Sequence, residues 1–145
     1  MKNHKTSNEQ IEAISEVFPL IWTKDVAVIA DWATTHLGLT ESWRAPSETG
    51  EIEHAELHWY GGKVSINIKS DFDSGPAGIS LRIDDRAVVK EIYDHAISLN
   101  TQISQALAES RVAYSFTAID PDGNQWWVNA ETGFLDELRA NNTGA

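Results

Sequence analysis

The chain has no cysteine, which removes disulfides, thiolate nucleophiles and cysteine-bound zinc from consideration. Positive charge is scarce too: 11 Lys and Arg stand against 22 Asp and Glu among 145 residues, a formal net charge of −11. That potential repels phosphate backbones and anionic lipid, so neither nucleic acid nor a membrane is an expected partner, and cationic small molecules are drawn in. No uncharged apolar run is long enough to cross a bilayer, and the polar opening from Met1 to Gln10 lacks the apolar core of a leader. A cytoplasmic protein is expected. The chain also lacks His-Glu-x-x-His, Gly-x-Gly-x-x-Gly, a Walker loop and Gly-x-Ser-x-Gly, so zinc protease, dinucleotide, nucleotide and hydrolase readings find no support.

A 41% hydrophobic content over this length suits one packed domain. Its clearest local signal is Ile119-Asp-Pro-Asp-Gly-Asn-Gln-Trp-Trp-Val128. Pro121 fixes φ, Asp122 and Asn124 bond to nearby backbone, and Gly123 accepts positive φ, so a hairpin is expected, with Tyr114–Asp120 entering and Gln125–Ala130 leaving. Ile52–Tyr60 and Val64–Lys69 form a second hairpin across Gly61 and Gly62.

Along the chain, residues 1–16 read as an N-terminal tail, with a short helix from Ser7 to Val17 on the face shared by Ile11, Ile14 and Val17. Phe18–Thr23 reads as a strand. Asp25 caps a helix carrying Val26, Ile29, Ala33 and Leu37, which Gly38 ends. Thr40–Gly50 reads as a loop before the first hairpin. The turn formers of Asp71–Gly78 place a linker at 71–77. Gly78–Ile83 alternates as a strand, and Asp85 caps a helix with Val88, Val89, Ile92, Tyr93 and Ala96 inward, ending near Asn100. Residues 132–145 read as a C-terminal tail.

Caps Asp25 and Asp85 are 85 − 25 = 60 positions apart, and Gly61 and Gly123 are 123 − 61 = 62 apart. A fixed period marks duplication. The fold expected is α+β: two tandem βαβββ units, residues 17–70 and 78–131, forming a curved mixed sheet around a cleft with helices on the outside.

With this plan, the chain resembles the vicinal oxygen chelate superfamily, the glyoxalase, bleomycin-resistance and dioxygenase group, over residues 17–131. The residues that carry the likeness are Lys24-Asp25-Val26, Asp31-Trp32, His36-Leu37-Gly38-Leu39, His54-Ala55-Glu56-Leu57, Tyr114-Ser115-Phe116-Thr117 and Asp120-Pro121-Asp122-Gly123-Asn124. The resemblance implies, in metal-dependent members, a divalent ion held by four side chains, one from the first strand and one from the last of each unit. Those positions fall here on Phe18, Ser65, Gly78 and Trp127. Phe, Gly and Trp offer no donor atom and Ser a weak one, so no metal cofactor is expected. The resemblance also implies a homodimer.

Strand parity sends Val64, Ile66, Ile68, Ile79, Leu81 and Ile83 toward the helices. The opposite parity puts Phe18, Leu20, Trp22, Ser65, Asn67, Ser80, Arg82, Trp127 and Asn129 in the cleft, joined by His54, Glu56 and His58. Phe18, Trp22 and Trp127 read as stacking plates for a planar ligand, or as wall packing. Glu56 favours a cation, while Arg82 either binds a ligand carboxylate or phosphate, or neutralises Glu56. His54, Glu56 and His58 read as an ordinary polar face or as a displaced metal site. His36 reads as a cation at a helix C-terminus, His95 as solvent-facing, and Asp120 and Asp122 as turn formers.

The expected function is metal-free binding and sequestration of a planar or cationic small molecule. The alternatives are a lyase, isomerase or dioxygenase, with displaced metal ligands or with His54, Glu56 or His58 as general base, and a structural role with a vestigial cleft.

Overall fold

A computed structural model describes residues 16–69 and 76–143. The helix expected over Ser7–Val17 and most of the 71–77 linker lie outside the described residues. Within them the chain runs β1 (Leu20–Thr23), α1 (Val26–Leu37), β2 (Thr40–Pro46), β3 (Ile52–Trp59), β4 (Gly62–Ile68), β5 (Gly78–Arg82), α2 (Arg86–Ser98), β6 (Ile103–Glu109), β7 (Ala113–Ile119), β8 (Gln125–Glu131) and α3 (Gly133–Thr143). Two βαβββ units follow in tandem. Each builds its own four-stranded mixed sheet, ordered β1-β4-β3-β2 and β5-β8-β7-β6.

The caps form as their chemistry requires. The Asp25 carboxylate accepts from Val28 N, that of Asp85 from Ala87 N and Val88 N, and Gly38 closes α1 at φ 80°. Two segments differ from expectation. Thr40–Gly50 holds an edge strand, β2, where a loop was read. It is polar, it pairs on one side only and its register breaks twice, between Glu41 and Trp43 and between Ala45 and Pro46, so it lacks the alternation of a covered strand. The C-terminal stretch, read as a tail, contains α3. Its half-buried Phe134 lies under the Arg111 guanidinium, 4.0 Å from ring centre, and Arg139 reaches back to Glu131.

One core runs through both units. Ile29, Leu37, Leu57 and Ile66 of the first and Val89, Phe116, Trp126 and Val128 of the second are all at most 1% exposed. The units meet through α1 and α2, with no strand-to-strand contact of similar extent between the sheets. Trp32 of α1 packs on Trp126 of β8 with ring centres 5.7 Å apart. Trp59 Nε1 donates to the Arg82 carbonyl, and Thr23 Oγ1 donates to Asp122 Oδ2 at 2.5 Å. The β7–β8 turn is thus tied to the end of β1.

That turn is organised by a buried carboxylate. Asp120, 2% exposed, accepts from Asp122 N and Asn124 N at Oδ1, and from Asn124 Nδ2 and the Trp126 indole at Oδ2, all within 2.8–2.9 Å. Gly123 follows at φ 87°. Removing the carboxylate orphans four donors, two of them side chains in the core. Asp120→Ala is therefore expected to lower unfolding free energy by about 3 kcal/mol, read from urea denaturation; a loss below ~1 kcal/mol would contradict this role.

His36 departs from the reading as a helix-end cation. It stacks on Trp32 with centroids 5.5 Å apart and pairs through Nδ1 with Thr101 Oγ1 at 2.5 Å. Burial, and then the neighbouring His95, hold its pKa below the ordinary imidazole value of 6.5. His95 is solvent-exposed, as read, and its Nε2 donates to the Thr35 carbonyl at 2.8 Å, joining α2 to α1. Since the folded state resists protonating His36, the unfolded chain takes up that proton first. The stability His36 confers is whole above pH 6.5 and declines as pH falls from there toward its depressed folded pKa. Urea midpoints at pH 7 and pH 5 should thus fall further for wild type than for His36→Gln.

Candidate functional site

The helices cover one face of each sheet. Ala55, Leu57, Val64, Ile66, Ile79 and Leu81 point to that side and are at most 3% exposed. On the other face of the first sheet, the strand register lines up residues in rows. Trp22, Asn67 and His54 form one row across β1, β4 and β3, and Leu20, Ser65, Glu56 and Trp43 form the next across all four strands. His54, Glu56, His58, Trp22 and Asn67 are half-buried, while Phe18 is 37% and Trp43 47% exposed.

Two polar groupings occupy this face. In the first, His54 Nδ1 meets Asn67 Oδ1 at 2.5 Å, Asn67 Nδ2 donates to Ser65 Oγ at 2.8 Å, and the Trp43 ring lies 4.7 Å from the imidazole. In the second, Glu56 receives Ser42 Oγ at 3.3 Å, His58 Nε2 at 3.3 Å and Lys63 Nζ at 3.6 Å. Burial pushes the Glu56 carboxyl up, but the Lys63 charge, with the Ser42 and His58 contacts, outweighs it and leaves the net pKa below the ordinary carboxylate value. Lys63 also pairs with Glu16 and stands 4.3 Å over the Phe18 ring, beside a cavity of about 300 Å³ lined by Val17, Phe18, His58 and Gly61.

The second sheet presents Ser80, Arg82, Trp127 and Asn129. Gly78, Ser80, Thr117, Gln125 and the half-buried Trp127 line a cavity of about 500 Å³. Asn129 is buried, its Nδ2 aimed at Ser80 Oγ, the Trp127 carbonyl and the Leu81 carbonyl, so its amide N–H groups serve β5 and β8. Arg82 does not neutralise Glu56. Its guanidinium pairs with Asp84 at 2.5 Å and Glu131 at 3.1 Å, carboxylates of its own unit.

Sequence reasoning missed Trp43 and Lys63 as parts of this surface. Reading β2 as a strand would have placed Trp43 opposite Glu56. The 13-position separation of His54 and Asn67 across a two-Gly turn was the available signal for their pairing.

Phe18, Ser65, Gly78 and Trp127 stand where the resemblance implies the ligands of a divalent cation. Ser65 Oγ is engaged by Asn67, the Phe18 ring faces Lys63, Gly78 has no side chain, and the Trp127 indole supplies no lone pair. These four residues do not fit a metal. His54, Glu56 and His58 do not converge either: among the described residues no three or more His, Cys, Asp or Glu are grouped so as to hold an ion.

The family model of the Glyoxalase/Bleomycin resistance protein/Dioxygenase superfamily matches residues 13–128. The chain belongs to this superfamily. Among solved structures it is similar to TioX from Micromonospora sp. ML1, with TM-score 0.69 and 20% identity over 81% of this chain and 99% of that one. It is also similar to a lactoylglutathione lyase from Agrobacterium tumefaciens, with TM-score 0.63 and 17% identity over 83% and 94%. A family enzyme from Burkholderia phytofirmans PsJN gives TM-score 0.60 and 17% identity over 77% and 94%. At these identities the likeness is one of fold. No curated protein sequence matches the chain. Among the described residues no helix is long and apolar enough to cross a membrane.

The Glu56 grouping makes a specific prediction. Lys63→Met removes the leading group that opposes burial, so the Glu56 carboxyl pKa should rise, measured by carbon-detected NMR titration. An unchanged value would place the control elsewhere.

Proposed function

We propose that this protein binds a planar, preferably cationic small molecule without a metal, and acts by sequestering it. The observation that carries the reading is the occupancy of the superfamily's four ligand positions by Phe18, Ser65, Gly78 and Trp127, which suit stacking and close approach in place of coordination. Three further features support it. The cavity of about 500 Å³ beside Trp127 is within the range that holds drug-sized ligands. The net charge of −11 concentrates cations near the surface. Glu56, although paired, keeps an anion on the open face of the first sheet.

Sequestration needs no chemical step: burying the reactive surface of the compound lowers its free concentration by mass action. The protein is read as cytoplasmic and homodimeric. Each described cavity is lined by one unit alone, and the helix faces that join the units leave both sheet faces for a second copy to meet. A symmetric pair would set the first sheet of one chain against the second sheet of its partner.

Titration with bleomycin and a panel of planar cationic dyes should quench tryptophan fluorescence. Trp127→Ala should weaken the tightest binder about tenfold, or ~1.4 kcal/mol. Sedimentation equilibrium should give the mass of two chains. No quenching across the panel, or stoichiometric zinc, nickel, iron or manganese in protein purified without chelator, would overturn the reading.

A further inference from the structure

We propose that the cavity beside Trp127 seats an uncharged planar ring bearing a carbonyl oxygen, to which Ser80 donates a hydrogen bond. This deepens the sequestration reading and rests on it: a cationic group, where the ligand has one, stays outside this cavity.

The charge of the ring follows from the lining. Among the described residues, those around the cavity of about 500 Å³ include no Asp, Glu, Lys, Arg or His. Arg82, next along β5 on that face, is paired with Asp84 and Glu131. A cation buried without a partner anion loses its hydration and gains nothing in return. An uncharged ring loses little, and the half-buried Trp127 indole offers it a flat surface. Among the described residues no other aromatic ring and no cation packs on that indole.

The acceptor on the ligand follows from Asn129. Its amide faces the Trp127 carbonyl at 3.1 Å and the Leu81 carbonyl at 3.4 Å, two atoms that only accept, so the nitrogen Nδ2 lies on that side. The same Nδ2 donates to Ser80 Oγ at 3.0 Å. Ser80 is thus the acceptor in that bond, and its own proton has no acceptor among the described residues. Ser80 and Trp127 are register partners on neighbouring strands and both line the cavity, so a molecule held there reaches indole and hydroxyl together. A ring with an oxygen that accepts the Ser80 proton is favoured over one that leaves the hydroxyl dry and unpaired.

Gly78 supplies the room. It precedes Ser80 by two residues on the same face of β5, and a Cβ there would meet nothing within 4 Å. A larger side chain at this position therefore fills the cavity without pushing on its surroundings, which separates occlusion from unfolding.

Equilibrium dialysis of the whole chain against 9-fluorenone, fluorene and N-methylacridinium, all planar tricycles, tests the seat at high salt, where the net charge is screened. Fluorenone should bind about fivefold tighter than fluorene, the worth of one net hydrogen bond. The two should bind equally in Ser80→Ala, where Asn129 keeps both carbonyl partners. Gly78→Leu should abolish fluorenone binding at an undiminished urea midpoint, and any binding of N-methylacridinium should be the same in Gly78→Leu as in wild type. A fluorenone preference that survives Ser80→Ala, or fluorenone binding that survives Gly78→Leu, overturns the subsite. So does an acridinium ion that loses its binding in Gly78→Leu; the cavity then takes a cation, and sequestration stands. If none of the compounds binds, the subsite falls, and the bleomycin and dye titrations judge the wider reading on their own.

Discussion

A carboxylate buried in a β-turn survives only when donors surround it, and Asp120 has four. They fix the geometry of the β7–β8 reversal and also the indole of Trp126, whose ring then lies against Trp32 of the other unit. The adjacent Asp122 receives the Thr23 hydroxyl at the end of β1, and Asn124 Oδ1 receives the Ala77 amide before β5. One turn thereby reaches both units. That anchoring holds the end of β1, the start of β5 and the Trp126 indole to a single reversal.

The two free faces differ in character. The first sheet gathers four tryptophan or histidine rings, Trp22, Trp43, His54 and His58, with a row of neutral hydrogen-bonding groups, and its charged residues, Glu56 and Lys63, largely neutralise one another. The second sheet is quieter, with Asn129 bonded inward and Arg82 tied to Asp84 and Glu131. Among the described residues neither face groups three or more carboxylates and imidazoles so as to hold a cation, whereas both present aromatic surface beside amides and hydroxyls. That combination favours recognition by stacking and hydrogen bonding.

Much of this was legible because it depends on near neighbours in the chain. Asp25 and Asp85 cap helices that begin at the next residue, and three of the four donors to Asp120 come from within its own Asp-Pro-Asp-Gly-Asn turn. Parity along β3, β4 and β5 sorted core from face without error at Ala55, Leu57, Ile66 and Leu81, since alternation is a property of any extended strand. β2 escaped because an edge strand with two register breaks carries little alternation to read. The helix α3 escaped because Phe134 and Arg139 find their partners, Arg111 and Glu131, only after the sheet has formed.

The sequence by itself determined the tandem βαβββ plan, the caps and turns, which side chains share a face, and that Phe18, Gly78 and Trp127 bring no side-chain lone pair suited to a cation. These are matters of local backbone preference and of the donor atoms each residue type owns. Tertiary structure alone decided which face residues remain available. Arg82 went to Asp84 and Glu131, Glu56 to Lys63, Asn129 to its own strands, and His36 lost its cationic role to burial beside His95. Glu131 reaches Arg82 from β8, Lys63 reaches Glu56 from β4 and Ser80 reaches Asn129 from β5, and only packing sets those distances.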